Sequence, residues 1–131
     1  MIERHPHIIL VERAIYDQAA RDPRMFEGCT DDIVVRYPVA GPEHPKILRG
    51  KAELAGYAAE VSSVLPVLAV SDLRLDLLAD GSSVVAEFEY ATLPDAAMTY
   101  RSRYCTLARF RGDLVCEYTM YFDAGALPTP A

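Results

Sequence analysis

From about residue 67 to residue 123 the chain adopts a period of two. Apolar and polar residues alternate through 67 to 79, 83 to 93, 98 to 111 and 114 to 123, which predicts four strands. Asp80-Gly81 and Gly112-Asp113 occupy two of the gaps, and these are residues that tight hairpin turns favour. The third gap, Leu93 to Ala97, is longer. Strands joined by such short connections are antiparallel neighbours, and the apolar face of their sheet needs cover.

The preceding residues supply that cover. Ile8, Val11, Ile15 and Ala19 recur at helical spacing within residues 5 to about 21, with Leu10 and Ala14 beside them. Asp22-Pro23 ends this helix, because a proline disfavours a helical residue before it. A short second helix then carries Met25 and Phe26 towards Gly28. Ile33 to Tyr37 is β-rich and stops at Pro38, followed by the loop PVAGPEHPK. After Gly50, Leu54, Tyr57, Ala58 and Val61 share one helical stripe, and Pro66 lies just past its end. Helices first and a long antiparallel meander afterwards predict an α+β domain, with one face of a curling sheet packed on the helices. The chain of 131 residues shows no repeat and fits a single domain, 1–131.

Charge and motifs narrow the function. A formal net charge of −6, without a basic stripe, argues against binding nucleic acid. No apolar run reaches the length of a membrane span, and the N-terminus lacks a cleavable signal pattern. Cys29, Cys105 and Cys116 are odd in number without CxxC spacing, so reduced thiols in a cytoplasmic protein are expected. His5 and His7 flank Pro6, and His44 lies in the proline loop. No acid-histidine cluster, phosphate-cradling loop or dinucleotide motif is present, so no metal and no cofactor are expected.

The last hairpin concentrates the candidate chemistry. If Gly112-Asp113 forms a two-residue loop, Tyr104 faces Tyr121, Thr106 faces Thr119 and Ser102 faces Asp123. The other face then carries Arg101, Arg103, Cys105 and Leu107 with Tyr118, Met120 and Phe122. A one-residue slip would reverse this for one strand. Hydroxyls, tyrosines and an acid on one face suit a pocket wall. The opposite apolar stripe wants cover, which points to a homodimer through the sheet. Asp123 is the candidate general base; the alternative is a strand-end aspartate accepting backbone N–H bonds before Gly125. Glu87 and Glu89 alternate with Ala86, Phe88 and Tyr90, the pattern of a solvated strand face. Tyr37, Tyr104 and Tyr121 are placed either to donate to a carbonyl or developing oxyanion, or to pack as core and rim residues.

Three stretches carry a resemblance: CTDDIVVRYPVAGPEHPKILRG at 29 to 50, the GKAELAGYAAEV helix after it, and TYRSRYCTLARFRGDLVCEYTMYFD at 99 to 123. In this order and spacing the chain resembles the NTF2-like superfamily, which includes ketosteroid isomerases, SnoaL-like polyketide cyclases and limonene-type epoxide hydrolases. The resemblance implies a cystatin-like cone, with N-terminal helices packed on a strongly curved, mostly antiparallel sheet. It implies a small, mostly apolar substrate and cofactor-independent carboxylate chemistry: isomerisation, cyclisation, dehydration or epoxide opening. The other reading is a non-catalytic ligand-binding or dimerisation module. The strand-end aspartate proposed as base in SnoaL-like cyclases matches Asp123. The second carboxylate of the epoxide hydrolases matches Glu89, with Glu87 where their bridging arginine stands. The isomerase base position falls on Tyr37, and its second carboxyl group falls near Thr106. The hairpin pattern and the resemblance together give Asp123, Glu89 and Tyr104 as catalytic candidates. Tyr37, Tyr121, Ser102, Thr106, Tyr16 and Tyr57 become candidate substrate-binding residues.

Overall fold

The computed structural model describes residues 4–42 and 44–123. Helix α1 (Pro6–Ala19) starts with Pro6 at its first position, where a missing N–H costs nothing, and with the His5 ring accepting the His7 N–H at 3.1 Å. It buries Val11, Ile15 and Ala19 on one stripe, as the spacing predicts. At its end the Arg21 N–H donates to Gln18 O (3.2 Å) and the Asp22 N–H to Asp17 O (2.8 Å). This paired arrangement is the Schellman motif, with Arg21 in the left-handed position at φ 59°.

A 3₁₀ turn over Pro23–Phe26 leads to strand β1 (Cys29–Arg36). A short strand β2 (Ile47–Arg49) precedes helix α2 (Gly50–Val64), and Gly50 at φ 84° makes the sharp entry. Strands β3 (Leu68–Leu77), β4 (Ser83–Thr92), β5 (Arg101–Arg111) and β6 (Leu114–Phe122) form the expected meander. Its spatial order is β2-β1-β6-β5-β4-β3. Every pairing is antiparallel except β1 with β6, which is parallel. The period-two signal does not specify that β1 closes onto the last strand; that pairing joins residues far apart in the chain, such as Val34 and Glu117. The sheet is curved and unclosed, and the two helices pack on its concave face.

The core lies in that concavity. Ile33, Val35, Val84 and Val115 are sealed from solvent, and each buried aliphatic side chain contributes roughly 1.5–3 kcal/mol. No helix among the described residues is long and apolar enough to cross a membrane.

The last hairpin departs from its expected register. Arg111 faces Leu114 and Phe110 faces Val115, as a two-residue loop requires. The ladder then shifts, so that Arg109 faces Glu117 and Cys116 is the extra residue of a β-bulge. Beyond the bulge Tyr104 faces Phe122, Cys105 faces Tyr121 and Thr106 faces Met120. The expected Tyr104–Tyr121, Thr106–Thr119 and Ser102–Asp123 pairs therefore do not form. Tyr118, Met120 and Phe122 turn into the concavity and Tyr121 turns out. The physical reason is burial: the bulge puts three large side chains into the core instead of leaving them in water. It also removes the outward apolar stripe from which a dimer through the sheet is expected.

The bulge makes a direct prediction. Phe122→Ala should destabilise by about 3–5 kcal/mol, whereas Tyr121→Ala should change stability by no more than about 0.5 kcal/mol. Urea unfolding of the two variants checks the register, because the unbulged ladder predicts the opposite ranking.

Candidate functional site: a cone lined by phenols

Helices α1 and α2 and strands β1, β4, β5 and β6 enclose a narrow cavity of about 80 Å³. Its apolar wall includes Ile15, Val35, Leu54, Val61, Phe88 and Met120. A second, smaller chamber shares Gln18, Arg21, Tyr37, Tyr57, Val61 and Met120 with it, and adds Tyr90, Tyr104 and Phe122. The two form one continuous lining.

The polar groups of this lining are mostly phenols held by aromatic neighbours. Tyr104 stacks on Phe88 at 5.3 Å with nearly parallel rings, and lies 5.1 Å from Tyr90 and 5.5 Å from Phe122 between ring centres. Its hydroxyl shares a 2.7 Å hydrogen bond with that of Tyr100. The Tyr90 hydroxyl lies 2.8 Å from Ile15 O and 3.1 Å from Gln18 Oε1, which ties β4 to the last turns of α1. Burial raises the pKa values of Tyr37, Tyr90, Tyr104 and Tyr118 well above the ordinary tyrosine value. These phenols are therefore neutral donors across the physiological range. Burial also raises Tyr100; the Tyr104 and Ser102 hydroxyls oppose that shift and the Asp123 carboxylate adds to it.

Arg21 is the only charged side chain among the described residues of either lining. Its Nη2 donates to Leu65 O and Pro66 O, both at 3.2 Å, while its buried Nε–H has no hydrogen-bond partner. Burial lowers its pKa, and the Tyr90, Tyr104 and Tyr100 phenols counter that effect. The left-handed backbone at this residue costs about 1–2 kcal/mol relative to glycine.

The expected site residues divide between the two sides of the sheet. Tyr37, Tyr57, Tyr104 and Thr106 line the cone, and Thr106 is 2% exposed with its hydroxyl unpartnered. Ser102 is buried on the same face as Tyr104. Tyr121 (46% exposed) lies outside the cone because of the bulge. Tyr16 (50% exposed) is on the solvent side of α1, whose buried stripe runs through Val11, Ile15 and Ala19. Glu89 is on the outer side of β4, between the inward Phe88 and Tyr90. It is buried there beneath Arg101 (Nε–Oε1, 2.8 Å) and Arg103 (Nη1–Oε2, 3.7 Å). Its carboxylate is a partner of those arginines and does not face Asp123 across the cone. Asp123 follows β6 directly and is exposed; coming after the inward Phe122, it falls on the parity of the outward Tyr121, and its charge adds to the rise in the Tyr100 pKa. Gly125 lies outside the described residues.

Sequence reasoning did not single out Arg21, Tyr90 or Tyr100 as site residues, and it put Tyr118, which lines the cone, on the opposite face. A signal for Arg21 was present: it follows the helix at the position where glycine is favoured, just before Asp22-Pro23.

A curved, unclosed sheet wrapped on two helices around an interior apolar pocket defines the NTF2-like class of cone folds. The SnoaL-like domain matches residues 11–118, and the chain belongs to that family. Solved structures share the fold. A proposed isomerase from Bacillus subtilis is 21% identical with a TM-score of 0.78, covering 94% of this chain and 90% of that one. An NTF2-like protein from Anabaena variabilis is 21% identical with a TM-score of 0.74, covering 97% of each chain. A proposed polyketide cyclase from Xanthomonas campestris pv. campestris is 19% identical with a TM-score of 0.71, covering 96% of this chain and 97% of that one. No curated protein matches the sequence.

The buried phenols predict an alkaline limit to stability. Their folded pKa values lie above the unfolded value of 10.0, so their stabilisation is complete below pH 10 and is lost as pH rises beyond it. The urea midpoint should fall steadily above pH 10. Tyr90→Phe should cost about 0.5–1.5 kcal/mol at neutral pH and should flatten that decline.

Proposed function

We propose that this SnoaL-like protein is a cofactor-independent enzyme acting on a small, mostly apolar carbonyl compound bound in the cone. The reaction is proton abstraction beside the carbonyl, leading to isomerisation, cyclisation or dehydration. Support comes from the Tyr104 phenol, a neutral donor inside the apolar lining that shares a 2.7 Å hydrogen bond with Tyr100, whose pKa the Asp123 carboxylate helps to raise. In this reading Tyr104 donates to the carbonyl oxygen and to the enolate oxygen that develops from it. A phenol kept neutral by burial does this without a proton transfer of its own. Asp123 takes the proton, and its exposure just past the end of β6 leaves it in contact with water for return to the resting state. Tyr37, Tyr57 and Phe88 hold the apolar body of the substrate.

A second reading, a non-catalytic carrier of a small ligand, is favoured by one observation: no carboxylate is among the described residues that line the two chambers.

Deuterium incorporation from heavy water, followed by NMR over a panel of small enolisable ketones and enones, separates the two readings. The enzyme reading expects exchange at the carbon next to the carbonyl. Asp123→Asn should slow that exchange by about 10²-fold or more, and Tyr104→Phe should slow it while Asp123 remains in place. Unchanged exchange in Asp123→Asn removes that residue from the mechanism. Saturable binding of the panel without any exchange supports the carrier.

A further inference from the structure

The cone contains an unusual cation. Arg21 occupies a left-handed Schellman position that favours glycine, yet carries one of the longest side chains available. A strained residue of this kind persists only where the surrounding structure holds it in place, and such residues cluster at ligand-binding sites. The side chain runs into the cone and borders both chambers. Its Nη2 is anchored on the Leu65 and Pro66 carbonyls at the end of α2, so the plane of the guanidinium is set in advance. Its Nε–H is shielded from solvent and has no partner. None of the ion pairs among the described residues involves Arg21, although most of the chain's other arginines have an acid beside them.

A partly buried cation without a counter-charge is costly, and a guanidinium remains protonated at any ordinary pH. The lining around it offers neutral phenols and apolar carbon. The chemistry that complements this combination is an anionic oxygen on an apolar body, and a carboxylate meets a guanidinium through parallel charge-assisted hydrogen bonds. A second buried donor faces the same chamber: the Thr106 hydroxyl, 2% exposed and unpartnered.

We propose that the ligand of the cone is a small, mostly apolar carboxylate, that Arg21 recognises its anionic oxygens, and that Thr106 bonds to a further polar atom of the same molecule. This rests on the reading of the cone as a small-molecule site and names the chemical class that the site selects. Arg21 is a specificity residue here: it distinguishes a charged oxygen group from a neutral one of the same shape.

Matched probes test the assignment. Hexanoate and benzoate are titrated calorimetrically against hexanamide and benzamide, which have nearly the same shape without the charge. The intact protein should bind each acid at least about tenfold more tightly than its amide, the scale of hydrogen bonds to a charged group. Arg21→Gln should reduce that ratio to about one while the amides still bind. Arg21→Gly should do the same on a backbone that suits glycine, so retained amide binding and a retained melting temperature separate lost recognition from lost folding. Thr106→Val should weaken acid and amide alike and leave the ratio intact. Equal affinity for acid and amide in the intact protein overturns the assignment, as does a preference that survives in both Arg21 variants or the absence of saturable acid binding. None of these outcomes touches the proton-exchange assay, which decides the catalytic reading separately.

Discussion

One extra residue in strand β6 decides which side chains enter the cone. Cys116 lies between Val115, which faces Phe110, and Glu117, which faces Arg109. Two residues instead of one therefore lie between the inward Val115 and the inward Tyr118. From there Tyr118, Met120 and Phe122 all point into the concavity. The other neighbour of β6 yields at the same level: the parallel ladder with β1 shifts between Cys29 and Val34. A strand that bulges between two neighbours bends and increases its twist, and the curvature of the sheet follows from that. The aromatic cluster of Tyr37, Tyr57, Tyr104 and Phe122 depends on this bend, because its members come from α2, from β5 and β6, and from the residue just past β1.

The sheet also sorts charge. Three of its acids are held on the outer side beside arginines: Glu89 under Arg101 and Arg103, Asp72 against Arg103, and Glu117 between Arg36 and Arg109. The exposed pairs contribute little singly, on the order of 0–1 kcal/mol each. Glu89 is different, with a side chain only 8% exposed, and its burial is tolerable because two guanidiniums lie over it. The inner side carries phenols and one arginine. The protein thus has an acidic net charge of −6 around an interior whose only fixed charge, among the described lining residues, is positive. That inversion fits a site that draws an anionic group out of water into an apolar space.

Much of the architecture was legible in the sequence. The α1 stripe of Val11, Ile15 and Ala19, the α2 positions Leu54, Tyr57 and Val61, and the four strands of the meander follow from spacing, because each pattern is local and repeats several times. Tyr37, Tyr104 and Thr106, expected at the site from the hairpin pattern and the family resemblance, line the cone. The placements that depend on register or on helix rotation came out differently. Tyr121 and Tyr16 face solvent, and Glu89 belongs to an ion pair on the far side of the sheet. Arg21 went unnoticed because its part in the site comes from contacts with α2 and with tyrosines far along the chain.

The sequence by itself determined the order and type of the elements, the places where the chain turns, and the stripes that seek burial. These depend on periodicities of 3.6 and 2 and on glycine, proline and aspartate chemistry, all written within a few residues. Only the tertiary structure decided which face of β6 is the inner one and which charged groups share the cone. A period of two is inverted by a single extra residue, so a bulge reverses every assignment beyond it. Cys116 carries no local mark that would announce one. The bulge forms because it buries Met120 and Phe122 among Phe88, Tyr104 and Tyr37, a gain that exists only after strands far apart in sequence have come together.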